Sequence, residues 1–341
     1  MTDRPVVISA PAPRSLDLIF RPAALTTLRT RYDIHECGAD ALDALSPQVL
    51  SQARYIIGQP PVSDGLLDQL PALRCVLNVE GNLYDNMPYA RMFERGIHVV
   101  TTASVFAKPV AEIGLGFALD LLRGISRADA DFAAGRELWG MDGNRRARLL
   151  TGAEVGLIGY GELGRALHHL LVPFQTRLRV FDPWLPESTI AESGAVPATL
   201  DDVLHDSDVV FVVAGVTSEN RGFLDAAAFA RLRDGAAFIL LSRADVVDFA
   251  ALTKEVASGR ITAATDVWPE EPMPSGHPAR TLPGFLKSAH RAGALTEAFL
   301  RMGDLVLDDL VLMDRGLPPQ RCKRAERETV ARMRSRPVSV N

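Results

Sequence analysis

The chain has 341 residues, 47% apolar and 23% charged. That balance suits a soluble globular protein of two domains and excludes a disordered chain, a collagen and a coiled-coil rod. Its 37 Lys and Arg against 42 Asp and Glu leave a formal charge of −5 with His neutral, which argues against a general nucleic-acid binder, since that function needs surplus cations to displace counterions.

The first residues, MTDRPVVISAPAP, lack the basic start and apolar core of a secretory signal. No run of about 18 uncharged apolar residues is present, so no membrane span or membrane partner is expected. Three cysteines, Cys37, Cys75 and Cys322, cannot all pair and form no CxxC. Neither a disulfide framework nor a metal site is expected, and the reducing cytoplasm is the natural compartment.

Strands are predicted at 6–9, 55–57, 75–79 and 98–100, with amphipathic helices at 23–32 and 63–70. Such alternation implies a parallel sheet covered by helices and joined by right-handed crossovers. Near residue 104 the character changes. Residues 107–123 read as a long apolar helix with Pro109 in its first turn. Gly114 and Gly116 cost it roughly 1 kcal/mol each relative to Ala and permit close packing. A helix this apolar is either deep core or a connector buried between two domains, and the connector is the favoured reading.

A stronger alternation follows, with strands at 153–158, 178–181, 209–213, 237–241 and 262–266 and a helix over 164–171. After His290 the chain returns to helix over 296–313. The basic tail from Gly316, with Pro318 and Pro319, reads as solvated or loosely docked, contact with a partner subunit being the alternative.

The run Gly159-Tyr160-Gly161-Glu162-Leu163-Gly164 is G-x-G-x-x-G between a strand and a helix. Gly159 makes the tight turn, Gly161 admits a pyrophosphate, and Gly164 lets helix and strand pack closely. The helix start offers free N–H groups to the phosphates. Asp182 ends the next strand, 18 residues after Gly164. A carboxylate there suits the ribose hydroxyls and repels a 2′-phosphate, and Pro183, Trp184, Leu185 and Pro186 supply no cation. NAD(H) is therefore expected over NADP(H).

Three later segments carry polar residues at strand ends: Ser242-Arg243-Ala244-Asp245, Asp266-Val267-Trp268-Pro269-Glu270-Glu271-Pro272, and Ser288-Ala289-His290-Arg291. Arg243 is a planar, permanent cation suited to a carboxylate. His290 can give or take a proton near neutral pH, and Glu271 can fix its tautomer. The remaining histidines, His168 and His169 among them, read as structural or exposed.

In this order after the glycine fingerprint, these motifs resemble the D-isomer-specific 2-hydroxyacid dehydrogenases over roughly residues 50–310. The resemblance implies an α/β fold of two Rossmann-like or flavodoxin-like domains with parallel sheets. A substrate domain of residues 1–103 and 296–341 would be interrupted by a nucleotide domain of residues 104–295. It implies hydride transfer between NAD(H) and C2 of a 2-oxo or D-2-hydroxy acid, with Arg243, Glu271 and His290 catalytic. Asp266 would lie on the nicotinamide side, and Ser242 joins the cofactor-binding set. Gly81 and Asn82 align with the loop whose amides receive the substrate carboxylate. Glu80, Leu83, Tyr84, Phe106, Ala289 and Arg291 depart from the family pattern around the substrate. A homodimer is implied, with residues 128–148 as its arm. Two rivals stay open on the same fold: formate oxidation, against which Glu271 argues, and an NAD(H)-sensing scaffold akin to the C-terminal binding protein corepressors.

Overall fold

A computed structural model describes residues 4–333. In chain order its strands are β1 (Val6–Ala10), β2 (Asp33–Glu36), β3 (Ala53–Gly58), β4 (Cys75–Asn78), β5 (His98–Thr101), β6 (Glu154–Ile158), β7 (Arg177–Phe181), β8 (Val196–Pro197), β9 (Val209–Val212), β10 (Ala237–Leu240), β11 (Thr262–Thr265), β12 (Phe285–Lys287) and β13 (Lys323–Arg324). Two compact units divide the chain. One joins the residues up to Phe106 with those from Ala294, and the continuous stretch Ala107–Gly293 between them forms the other. The boundaries expected from sequence stand at 103/104 and 295/296.

The first unit holds a sheet of order β13-β5-β4-β3-β1-β2, parallel except where β13 runs antiparallel to β5. The cores of β1, β3 and β4 are near-continuous apolar runs because both faces of the sheet are covered. Successive residues point to opposite faces. Val7, Tyr55 and Leu77 meet Met302, Val306 and Leu310 of the helix Thr296–Asp314. Ile8, Ile56 and Val76 meet Leu66, Leu67 and Met92 on the other side.

The described part of the tail is docked rather than solvated. Asp309, fully buried, accepts the amides of Gln320 (2.7 Å), Arg321 (2.8 Å) and Cys322 (2.8 Å). Cys322 and Ala325 are buried, and Lys323 and Arg324 pair with β5. The basic side chains face outward while the backbone supplies the edge pairing, so charge alone concealed the docking. Residues 334–341 of this tail lie outside the described residues.

The second unit holds a parallel sheet of order β12-β11-β10-β9-β6-β7-β8. From β6 the chain proceeds outward through β7 and β8, then returns to β9 on the other flank. The reversal opens a crevice beyond the carboxyl end of β6, where the glycine turn lies. The helix Ala107–Arg123 packs within this unit, with Ala111, Gly114, Ala118 and Leu122 buried. A Cβ on Gly114 would lie 2.6 Å from Leu241 Cδ1. The helix's buried stripe belongs to the core of the second unit, and it is the element with which the chain enters that unit. The short strands β8 and β12 carried no periodic signal, being two and three residues long. Among the described residues no helix is long and apolar enough to cross a membrane.

Candidate active site

Two of the three fingerprint glycines are required sterically. Gly159 has φ +96°, and a Cβ there would lie 2.6 Å from Ala214 Cα and 2.7 Å from Ala214 N. A Cβ on Gly164 would lie 2.6 Å from the Gly159 carbonyl oxygen. Gly161 faces open space and caps the helix Glu162–Leu171 without any side-chain hydrogen bond. The first-turn N–H groups are thereby left for an anion. Glu162 lies exposed in that turn, whereas Leu163 packs against the core.

Asp182 sits against this turn. Its Oδ2 accepts the Tyr160 amide at 2.7 Å, and its Oδ1 accepts the Trp184 amide at 2.9 Å. Each oxygen keeps lone-pair capacity for a hydroxyl. The buried Tyr160 ring adds a connection that the sequence did not reveal. Its hydroxyl lies 2.6 Å from His168 Nδ1 and donates to Ser193 Oγ at 2.7 Å. Burial lowers the His168 pKa, and the neighbouring His169 adds to the effect.

The acid–base candidates come together at the carboxyl ends of β11 and β12. His290 Nδ1 lies 2.6 Å from Glu271 Oε2, and the Trp268 amide donates to Glu271 Oε1 at 2.8 Å. Burial works to raise the Glu271 carboxyl. The hydrogen bonds from His290 and the Trp268 amide, with the charges of His290 and Arg243, outweigh it and hold the group below the usual carboxylate range. His290 adopts φ +48°, a left-handed conformation uncommon for a residue with a side chain. Its amide donates to the Asp266 carbonyl at 2.8 Å.

Asp266 is buried, and its two carboxylate oxygens accept the Arg291 and Ala292 amides, each at 3.0 Å. Its observed hydrogen bonds therefore run to the His290 loop. Arg243 follows β10, is half-buried, and donates from Nη1 to the Ser242 carbonyl at 2.7 Å. The hydroxyls of Ser242 and Ser288 are buried without a hydrogen-bond partner among the described residues. These two orphaned hydroxyls, the open Gly161 cradle and the Asp182 carboxylate are the polar complement that a nicotinamide dinucleotide requires, and the residues present fit it.

Gly81 and Asn82 belong to the first unit, in the loop after β4. Asn78 Nδ2 donates to the Asn82 carbonyl at 2.7 Å, and Asn78 Oδ1 accepts the Glu80 amide at 2.5 Å. Among the described residues the amides of Gly81, Asn82 and Leu83 find no acceptor, an arrangement suited to an anion. Sequence reasoning missed Arg14, which follows β1. Its Nε donates to the Val79 carbonyl at 3.0 Å, and its Nη2 donates to Glu80 Oε2 at 3.1 Å. Its guanidinium carbon lies 4.4 Å from the Phe299 ring centroid. No local motif flags Arg14, because its partners are 65 and 66 positions away in the chain.

Comparison with known proteins bears on the same residues. The model of the D-isomer specific 2-hydroxyacid dehydrogenase NAD-binding domain matches residues 115–292. A solved phosphoglycerate oxidoreductase from Rhizobium etli is 61% identical, with TM-score 0.89, covering 95% of this chain and 99% of that one. The glyoxylate reductase of Thermofilum pendens is 30% identical over 264 residues, 74% of this chain and 76% of the relative. The glyoxylate reductase of Aeropyrum pernix is 27% identical over 313 residues, 87% of this chain and 91% of the relative.

Proposed function

The chain belongs to the D-isomer specific 2-hydroxyacid dehydrogenases, and from that premise we propose that it transfers a hydride between NAD(H) and C2 of a small 2-oxo or D-2-hydroxy acid. The observation that carries this reading is the 2.6 Å His290–Glu271 pair, whose carboxylate also feels the charge of Arg243, in the unit that bears the glycine turn.

Gly159, Gly161 and Gly164 with the following helix would hold the dinucleotide phosphates. Asp182 would hold the adenosine ribose, and the buried Ser242 hydroxyl, without a partner among the described residues, would join the cofactor-binding set. When bound, the cofactor supplies or accepts the hydride. Arg243 holds the substrate carboxylate and polarises the C2 oxygen. His290 as imidazolium donates the proton to that oxygen in reduction; as neutral imidazole it takes the proton in oxidation. Glu271, ionised, stabilises the imidazolium and fixes the ring with Nδ1 toward itself, which leaves Nε2 for the substrate. Within the first unit, the acceptor-free amides of Gly81 and Asn82 are suited to a carboxylate.

NAD(H) is favoured over NADP(H) because Asp182 sits beside the turn and residues 183–186 carry no cation. A homodimer is supported by exposed apolar side chains along 125–149: Ile125, Phe132, Leu138, Trp139, Met141 and Leu149. Three free cysteines fit a reducing cytoplasm.

The test is a panel of 2-oxo acids that includes glyoxylate, hydroxypyruvate and a phosphorylated analogue, each with NADH and NADPH. Turnover should prefer NADH, and Arg243→Ala and His290→Ala should abolish it. Substituting Asp182→Ser should raise the KM for NADH and relax the discrimination against NADPH. Tight NADH binding without turnover across the panel would overturn the enzymatic reading in favour of a nucleotide-sensing scaffold.

A further inference from the structure

The two members of the acid–base pair arrive on separate loops, Glu271 after β11 and His290 after β12. Trp268 is hydrogen-bonded to Glu271 and to the loop that carries His290. Its backbone N–H donates to Glu271 Oε1 at 2.8 Å. Its indole Nε1–H donates to the Ser288 carbonyl at 2.7 Å, two residues before His290. The ring is wedged between aromatic neighbours, with centroids 5.5 Å from Phe249 and 5.8 Å from Phe285. Packing in that cluster requires only an aromatic ring. The indole N–H makes the additional bond to the loop that carries His290.

We infer that Trp268 is a positioning residue for the acid–base pair, holding Glu271 with its main chain and the His290 loop with its indole N–H. The inference deepens the reading of the function given above and rests on it. His290 has its backbone in the left-handed region, so its loop needs restraint from outside. Asp266 restrains the far side through the Arg291 and Ala292 amides, and Trp268 restrains the near side through Ser288. The charge of Arg243 reaches Glu271, and the Asp266 carboxylate is held by the Arg291 and Ala292 amides. Trp268 adds no charge. It sets the distance at which Glu271 and His290 meet.

Two variants separate the N–H from the ring. Trp268→Phe removes the donor and part of the bulk. Benzothienylalanine at position 268 keeps the bicyclic shape and places sulfur where the N–H was. Both should lower kcat about tenfold, a fraction of the 10²–10⁴ that general acid–base catalysis contributes, with the KM for NADH unchanged. The rate-versus-pH midpoint for reduction should move to lower pH. In the cofactor-free protein, the downfield proton resonance of the His290–Glu271 hydrogen bond should broaden or vanish.

If the phenylalanine variant does not fold, the benzothienylalanine protein decides alone. Wild-type kcat and an intact resonance in that protein would overturn the inference, as would a slowed rate with the resonance intact. Should the wild type turn over no 2-oxo acid, the functional reading fails, yet the resonance still reports on the role of Trp268.

Discussion

Replacing Glu271 with Gln removes one charge and leaves nearly the same shape. The pair it disrupts is 2.6 Å long, with side chains 43% exposed for His290 and 27% for Glu271. A hydrogen bond to a charged group contributes about 1.5–3 kcal/mol when shielded. The exposure of His290 brings solvent screening, which places this pair near about 1–1.5 kcal/mol. Because about 1.4 kcal/mol is a factor of ten in rate, Glu271→Gln should slow reduction about tenfold where the imidazolium is the reacting form.

The sign follows from the Glu271 carboxyl, which is held below its usual range. Its stabilising contribution is present above the unfolded carboxyl pKa and is lost only as pH falls through the depressed folded value. The carboxylate is therefore charged throughout the range in which imidazole titrates. Without it the neutral imidazole is favoured, so the reduction profile should shift toward acid, while oxidation, which needs neutral imidazole, is impaired less at neutral pH. Steady-state rates followed by NADH absorbance in both directions, across the imidazole titration, measure this. An unshifted midpoint with both directions slowed equally would refute the charge argument and leave Glu271 with steric orientation alone.

Three other outcomes are expected. Gly159→Ala combines φ +96° with a Cβ 2.6 Å from Ala214 Cα, so it should cost about 2 kcal/mol or more and abolish NADH binding, as read by thermal melting and fluorescence titration. Asp309→Ala strips the amides of Gln320, Arg321 and Cys322 of a buried acceptor, and should lower stability by about 3 kcal/mol and expose the tail to limited proteolysis. Trp139→Glu with Phe132→Glu places two carboxylates on the exposed apolar arm and should convert a dimer to monomers in sedimentation, whereas a wild type that sediments as a monomer would refute the arm's role.

Much of this protein was legible in the chain itself. The alternation of short apolar runs with amphipathic stretches reports a covered parallel sheet, because strands buried on both faces must be apolar at every position. The glycine fingerprint was legible for a related reason: steric demands at Gly159 and Gly164 leave no alternative residue, so backbone geometry is written directly as composition. The residues Arg243, Glu271 and His290 stood out through their order after strand ends, and the last two meet in space as hydrogen-bonded partners.

Tertiary structure decided what depends on partners distant in the chain. The helix Ala107–Arg123 reads as core or as a connector, with the connector favoured, since apolarity reports burial without naming the surface that covers it. The tail read as solvated or loosely docked because its charges are local, whereas its anchor, Asp309, lies in the preceding helix. Asp266 and Trp268 were visible as residues, but their bonds to the His290 loop arise only when β11 and β12 lie side by side. Hydrophobic periodicity is set by the immediate surroundings of each residue and survives in one dimension. Directed polar contacts between loops depend on the relative placement of separate strands, which exists only once the sheet has formed.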